Sequence, residues 1–391
     1  MTTVHITGLC LGGNKGGPAI LSGLVALLKS HIDPLNVVLE CGNLKRDLPW
    51  QEHYGVDLVP RPRGRFPIYL WKRFLMYRGV DLVIDMHGVK FHGPTRVGIN
   101  IGAASTILLP RLRRIPTVSF TQTYGPFVNL ATRTAARIAL GSANLLFARE
   151  PESVNILKTI GLGEKCQLFP DVAMVLPCAD WADLECAPEV KDFVSDSEPY
   201  IGVSLSTKVI LDEKRQGVTP RYEHLMTQFV KWLLDQDYRV LFIPHTYLAH
   251  NPGGDDLGLT LRILDNLSTS SERYLVVQDD LAPDELKTLF SRSQVFVGSR
   301  YHSLIAALST GVPSLAVGWS HKYDGLLSLF GMERFSQWAS QTTLDQVCHA
   351  FEDLVDHRDE YSDMIRAELP DVKKRVEKSV EQVASLMSKY R

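Results

Sequence analysis

Short β-rich runs alternate with helix-like segments along this chain, and the alternation stops once and starts again. The first series has β-rich runs at residues 4–9, 36–41, 81–86, 117–123, 144–148 and 166–169. A polar, acid-rich stretch carrying Pro177, Pro188 and Pro199 interrupts it. The second series has runs at 200–205, 239–244, 274–278, 295–298 and 314–317, with helical segments at 220–234, 257–267, 283–291 and 302–310. Strands separated by helices cannot pair as hairpins, so they form parallel sheets with helices on both faces. The expected division is an N-terminal domain over 1–178, a linker over 179–199, a C-terminal domain over 200–340 and a charged helical tail over 341–391. A length of 391 residues supports two domains, because one hydrophobic core rarely serves so many.

Each domain is expected to be Rossmann-like α/β, the two facing across a cleft. In such sheets ligands bind beyond the carboxyl ends of the strands. The sharpest strand end is Gly298-Ser299-Arg300-Tyr301-His302-Ser303, where the buried-type run Val295-Phe296-Val297 passes into a helix. Free backbone N–H groups and the helix dipole favour an anion at such a helix start. Arg300 adds a fork suited to phosphate or carboxylate, and His302 can exchange a proton near neutral pH. The bland alternative is an Arg and a His that cap and pack the helix. His245 sits just past the run Phe242-Ile243-Pro244, either lining the cleft or bonding its own loop. Lys322 opens the loop after another strand, as a point charge for phosphate or as an ordinary surface lysine. Asp255 and Asp256 read as turn or cap residues.

The glycine-rich opening, Gly12-Gly13-Asn14-Lys15-Gly16-Gly17, follows the first strand. It is not G-x-G-x-x-G, and no Ser or Thr follows Lys15 as a P-loop requires, so it supports a nucleotide site poorly. A tight turn that lets backbone approach a neighbour fits equally.

Net charge is −2 but unevenly spread: residues 1–150 hold 18 Lys/Arg against 8 Asp/Glu, and the remainder 24 against 36. The basic part suits phosphates or an anionic membrane. No nucleic-acid motif accompanies it, so nucleic acid is not an expected partner. The segment 61–78 mixes Arg61, Arg63, Arg65, Lys72, Arg73 and Arg78 with Phe66, Tyr69, Trp71, Phe74 and Tyr77. Peripheral contact with a bilayer and ordinary packing of a core helix with a cationic outer face both fit it. No apolar run approaches a membrane span and the N-terminus lacks a signal-peptide pattern, so a cytoplasmic location is expected. None of the six cysteines forms a CxxC pair, and no Cys/His set has zinc spacing, so no metal site is expected.

Taken together, Arg300-Tyr301-His302 with its small-apolar helix, Gly311-Val312-Pro313, Lys322, Ile201-Gly202-Val203-Ser204 and Pro244-His245 resemble the polysaccharide pyruvyl transferase family. So do the glycine-rich opening before Ala19-Ile20-Leu21, Asp81-Leu82-Val83-Ile84-Asp85 and Tyr124-Gly125-Pro126-Phe127. Ala148-Arg149-Glu150 with Ser153 and Phe169-Pro170-Asp171-Val172-Ala173 extend the likeness over roughly residues 4–335. The chain departs from the family at Gly13-Asn14-Lys15-Gly16-Gly17-Pro18 and at Met86-His87-Gly88-Val89, both of which the resemblance puts on the acceptor side.

The resemblance implies transfer of the pyruvyl group of phosphoenolpyruvate to a sugar or lipid-linked saccharide as a ketal, with release of phosphate and no further cofactor. In that chemistry His302 is the expected general acid and Arg300 grips phosphate or carboxylate. Lys322 assists the leaving phosphate, and His245 is a second donor contact. Asp85 and His87, at the end of an N-terminal strand, are expected to orient or deprotonate the acceptor hydroxyl, although Asp85 equally fits a helix cap. A lipid-linked acceptor would place the protein at the inner face of the membrane. Two rival readings are a nucleotide-sugar glycosyltransferase, whose two-domain architecture is similar, and a non-catalytic saccharide-binding relative, which the pairing of Arg300 and His302 at a helix start argues against.

Overall fold

The computed structural model describes all residues except 93–96, 249–253, 268–271 and 391. The first sheet is built from β1 (Thr2–Thr7), β2 (Leu35–Cys41), β3 (Asp57–Pro60), β4 (Leu82–Asp85), β5 (Val89–Lys90), β6 (Thr117–Tyr124), β7 (Leu145–Ala148) and β8 (Cys166–Leu168). Its order is β3-β2-β1-β4-β6-β7-β8, with the two-residue β5 on β6, and every pairing is parallel. The second sheet is built from β9 (Ile201–Ser204), β10 (Val240–Phe242), β11 (Tyr274–Val276), β12 (Val295–Gly298), β13 (Ser314–Gly318) and β14 (Ser336–Trp338). Its order is β11-β10-β9-β12-β13-β14, again all parallel.

Both sheets are therefore doubly wound. Chain direction reverses between β1 and β4 in one and between β9 and β12 in the other, and ligands bind at such switch points. The central strands β4, β6, β9 and β12 are buried along their whole length, as parallel strands covered on both faces must be. In the first unit Ile107, Tyr124, Leu140, Leu146 and Leu157 form one apolar cluster. In the second, Phe242, Phe290, Phe296, Leu304 and Leu315 are fully buried, and the rings of Phe290 and Phe296 meet edge to face at 4.9 Å.

The two compact units are discontinuous in sequence. One holds Met1–Gly12, Ile20–Met174 and Val372–Arg391, and the other Gly13–Ala19 and Val175–Asp371. The glycine-rich segment Gly13–Ala19 thus follows a strand of the first unit but belongs to the second. The stretch 179–199 falls in the second unit and carries the helix Pro188–Ser195. The tail holds the helices Leu344–Asp356 and Arg358–Ser388. In the long helix Tyr361, Ile365, Leu369, Val372, Val376, Val380, Val383 and Met387 are buried, and their spacing of three or four residues is the stripe that makes a charged sequence helical. The change of unit falls beside Pro370 within that helix.

Candidate functional site

In the second unit the end of β12 is held by two tyrosines. Tyr222 donates to Ser299 Oγ at 2.7 Å, and Tyr323 donates to the Ser299 carbonyl at 2.9 Å. This fixes Arg300 in extended backbone as the cap of the helix Tyr301–Leu308, so the helix starts at a rigid point. Arg300 Nε and Nη2 donate to the two oxygens of Asp256 at 2.7 and 2.6 Å, and Asp256 also accepts from Thr207 N at 3.0 Å. Burial works against the Arg300 charge, but Asp256 outweighs it, so the guanidinium stays charged and points one way. Asp256 therefore does more than cap, unlike the expectation for it. Asp255 does act as a turn residue, accepting from Gly258 N at 2.9 Å and Leu248 N at 2.5 Å. Residues 249–253 of the loop before this pair lie outside the described residues.

His302 occupies the first turn of that helix, and the segment Gly13–Ala19 lies against it. A Cβ on Gly16 would fall 2.3 Å from His302 Nδ1, so only glycine permits this approach. Lys15, buried in the same segment, sits 2.5 Å from Asp280 Oδ1 and donates its backbone N–H to the His245 carbonyl at 3.1 Å. Burial lowers the Lys15 pKa while Asp280 opposes the shift. His245 is buried, and its Nδ1 has no hydrogen-bond partner among the described residues. Burial, then the charges of His302, Arg300 and Lys15, push its pKa well below the ordinary value, so it is a neutral imidazole. Four basic side chains thus gather where the strands end. The glycine-rich opening, expected on the acceptor side, makes its contacts with His245 and His302 of the second unit.

Lys322 is mostly buried. Its ammonium lies 4.3 Å from the centre of the Trp319 ring and 5.1 Å from that of Tyr323. Lys208, in the first turn of the helix Thr207–Arg215 that follows β9, stands 4.6 Å from the same indole. The lysine singled out in the sequence is thus no solvated loop residue, and Lys208 is a second cation that sequence reasoning passed over. Its signal, a Lys two residues past Ser206 at a strand end, is too common to notice.

In the first unit Asp85 ends β4 with no exposed surface. It accepts from Lys90 Nζ at 2.6 Å and Thr106 Oγ1 at 2.7 Å, and Gln122 Nε2 lies 3.2 Å away. Burial raises its pKa, but Lys90 and then His87 more than offset this and hold it far below the carboxylate range. So firmly ionised a group, with no surface of its own, is a poor base, and it caps no helix. What it can do is orient: His87 Nδ1 lies 3.4 Å from Asp85 Oδ1, and the His87 backbone N–H is held by Gln122 Oε1 at 2.9 Å. The ring of His87 is partly exposed. Arg149 donates to the Gly88 carbonyl at 2.8 Å and to Asp171 at 2.9 Å, bracing the same loop. The family-like stretches around Arg149 and Asp171 thus meet as one buried ion pair.

The fold and these sites define a doubly wound α/β protein with a cationic, histidine-bearing strand end in its second unit. The sequence pattern of the polysaccharide pyruvyl transferase family matches residues 14–321, and the chain belongs to that family. It is similar to the amylovoran biosynthesis protein AmsJ of Erwinia amylovora, 23% identical over 283 residues. That match covers 68% of this chain and 63% of AmsJ, so it spans under two thirds of the relative. Among solved structures it is similar to UDP-GlcNAc 2-epimerase from Neisseria meningitidis bound to UDP-GlcNAc, with TM-score 0.61, 13% identity and coverage of 98% and 99% of the two chains. It is also similar to Anabaena Alr3699/HepE in complex with UDP-glucose, with TM-score 0.60, 12% identity and full coverage of both chains. At these identities the likeness is one of fold.

Proposed function

We propose that the protein transfers the pyruvyl group of phosphoenolpyruvate to two hydroxyls of a sugar in a glycan or glycan precursor, forming a cyclic ketal. The observation that carries this reading is the cluster of Lys15, His245, Arg300 and His302 at the β12 strand end. It offers an oriented guanidinium, a neutral imidazole and a second imidazole at a helix start. Family membership supports the same chemistry.

In this reading Arg300, fixed by Asp256, grips the carboxylate or phosphate, and His245 donates a further hydrogen bond. His302 protonates C3 of the enol, and C2 becomes electrophilic. A sugar hydroxyl forms a bond to C2, and the C2–O bond to phosphate then breaks, with Lys322 facing the leaving group. The second hydroxyl adds to the same carbon. Of the two hydroxyl protons, one restores His302 and one leaves on the phosphate, so the proton count closes. His87, held by Asp85, is the first unit's proposed group for orienting the acceptor hydroxyl, which makes Asp85 a positioning residue. Electrostatic clamping and orientation of this kind supply most of a barrier reduction where little covalent chemistry falls to the protein.

The test is product analysis after incubation with phosphoenolpyruvate and a panel of glycosides. A glycoside carrying an acid-labile carboxyethylidene group, released as pyruvate, supports the reading. A product that forms only from a nucleotide sugar would replace it with glycosyl transfer.

A further inference from the structure

The helix Ile68–Met76 of the first unit is inverted relative to an ordinary surface helix. Its one buried side chain is Arg73, while Ile68 and Trp71 are 55% and 61% exposed and Leu75 is 36% exposed. Positions 68, 71 and 75 share one helical face, and Phe66, 60% exposed, precedes them. The inward side is polar: Arg73 Nη2 donates to the buried Glu40, which also accepts from Arg61 Nε at 3.0 Å. That pairing fixes the helix so that its apolar face looks outward. Arg63, Arg65, Lys72 and Arg78 are exposed around it. No Asp or Glu occurs between residues 61 and 78, nor in the packed neighbouring helix Val97–Leu112. Among the described residues no helix is long and apolar enough to cross a membrane.

We infer that residues 61–78 dock this protein on an anionic lipid bilayer, with Phe66, Ile68, Trp71 and Leu75 entering the headgroup boundary. The ring of cations without acids selects negative lipid, and the outward aromatic and aliphatic side chains supply the apolar contact. Neither a cationic nor an apolar face alone would choose this occupant; their coincidence on one anchored helix does. The inference is independent of the pyruvyl reading, since it concerns binding and not turnover.

The experiment is co-sedimentation of the full chain with vesicles of phosphatidylcholine alone or mixed with phosphatidylglycerol, at low and high salt. Binding is expected only to the mixed vesicles and only at low salt. Trp71→Glu, at an exposed position, is expected to abolish it with the circular dichroism spectrum unchanged. Replacing Arg63, Arg65 and Lys72 with Gln is expected to weaken it about fivefold per cation, the equivalent of about 1 kcal/mol each. Equal binding to both vesicle types, or none to either, would overturn the inference. So would a dimer in solution that Trp71→Glu converts to monomer while vesicle binding stays absent, because the face would then pair two copies of the chain.

Discussion

In the proposed reaction His302 and Arg300 carry the greatest chemical weight, and their surroundings say how each would fail. Removing a general acid costs about 10²–10⁴-fold in rate. His302→Ala is expected to lose kcat in that range while keeping its melting temperature; near-native turnover would remove His302 from the mechanism. Arg300 depends on Asp256, whose carboxylate takes Nε and Nη2. Asp256→Asn is expected to loosen the fork and raise KM for phosphoenolpyruvate more than it lowers kcat. An unchanged KM would show that Arg300 grips no donor anion. Glu40 gives a prediction in stability. Burial raises its pKa, but His5, Arg73 and Arg61 overcome that and hold it at about 2, against 4.5 in the unfolded chain. A depressed carboxylate contributes stability that is full above the unfolded value and is lost as pH falls toward the folded one. Urea unfolding is therefore expected to show a stability loss between about pH 4.5 and pH 2 that Glu40→Gln flattens. An identical pH dependence in the variant would contradict the assignment.

Among the elements, the long buried strands and amphipathic helices were readable from periodicity, and β2, β6 and β12 lie within a residue of the expected runs. The helix Pro188–Ser195 was hidden in a proline-rich stretch, because a proline that starts a helix looks like one that breaks it. β5 and β14, of two and three residues, are too short to show a period. Strand ends were also readable, so Arg300, His302, His245, Lys322, Asp85 and His87 could be picked out. What could not be read was pairing across sequence: Asp256 with Arg300 is 44 residues apart, and Lys15 with Asp280 is 265. No local pattern announces such contacts. The glycine-rich segment shows the same limit, since Gly16 lies against His302, 286 residues away in sequence. Gly16→Ala forces a Cβ to 2.3 Å from His302 Nδ1, so something must shift. A misplacement near 1 Å can cost about 100-fold in turnover. Gly16→Ala is expected to lower kcat by up to that factor and to move the pH–rate profile, with little change in stability. An unaltered profile would mean that the segment does not position His302.

For the whole molecule, two doubly wound units each carry a candidate site at the switch point, one a cationic strand end and one a histidine beside a buried carboxylate. A fold shared with sugar-nucleotide proteins does not decide the substrate, because function lies in the side chains at those strand ends. The uneven charge, near +10 over residues 1–150 and near −12 over the rest, follows from 18 − 8 and 24 − 36. It puts the basic docking helix in the first unit. The central claim, that phosphoenolpyruvate is the donor, is tested most directly by measuring phosphate release from it with and without a panel of glycosides. Release that depends on a glycoside, saturates with phosphoenolpyruvate and disappears in His302→Ala is the predicted result. No glycoside-dependent release from a folded protein that uridine diphosphate stabilises against heat would contradict the account and assign the strand-end cations to a nucleotide.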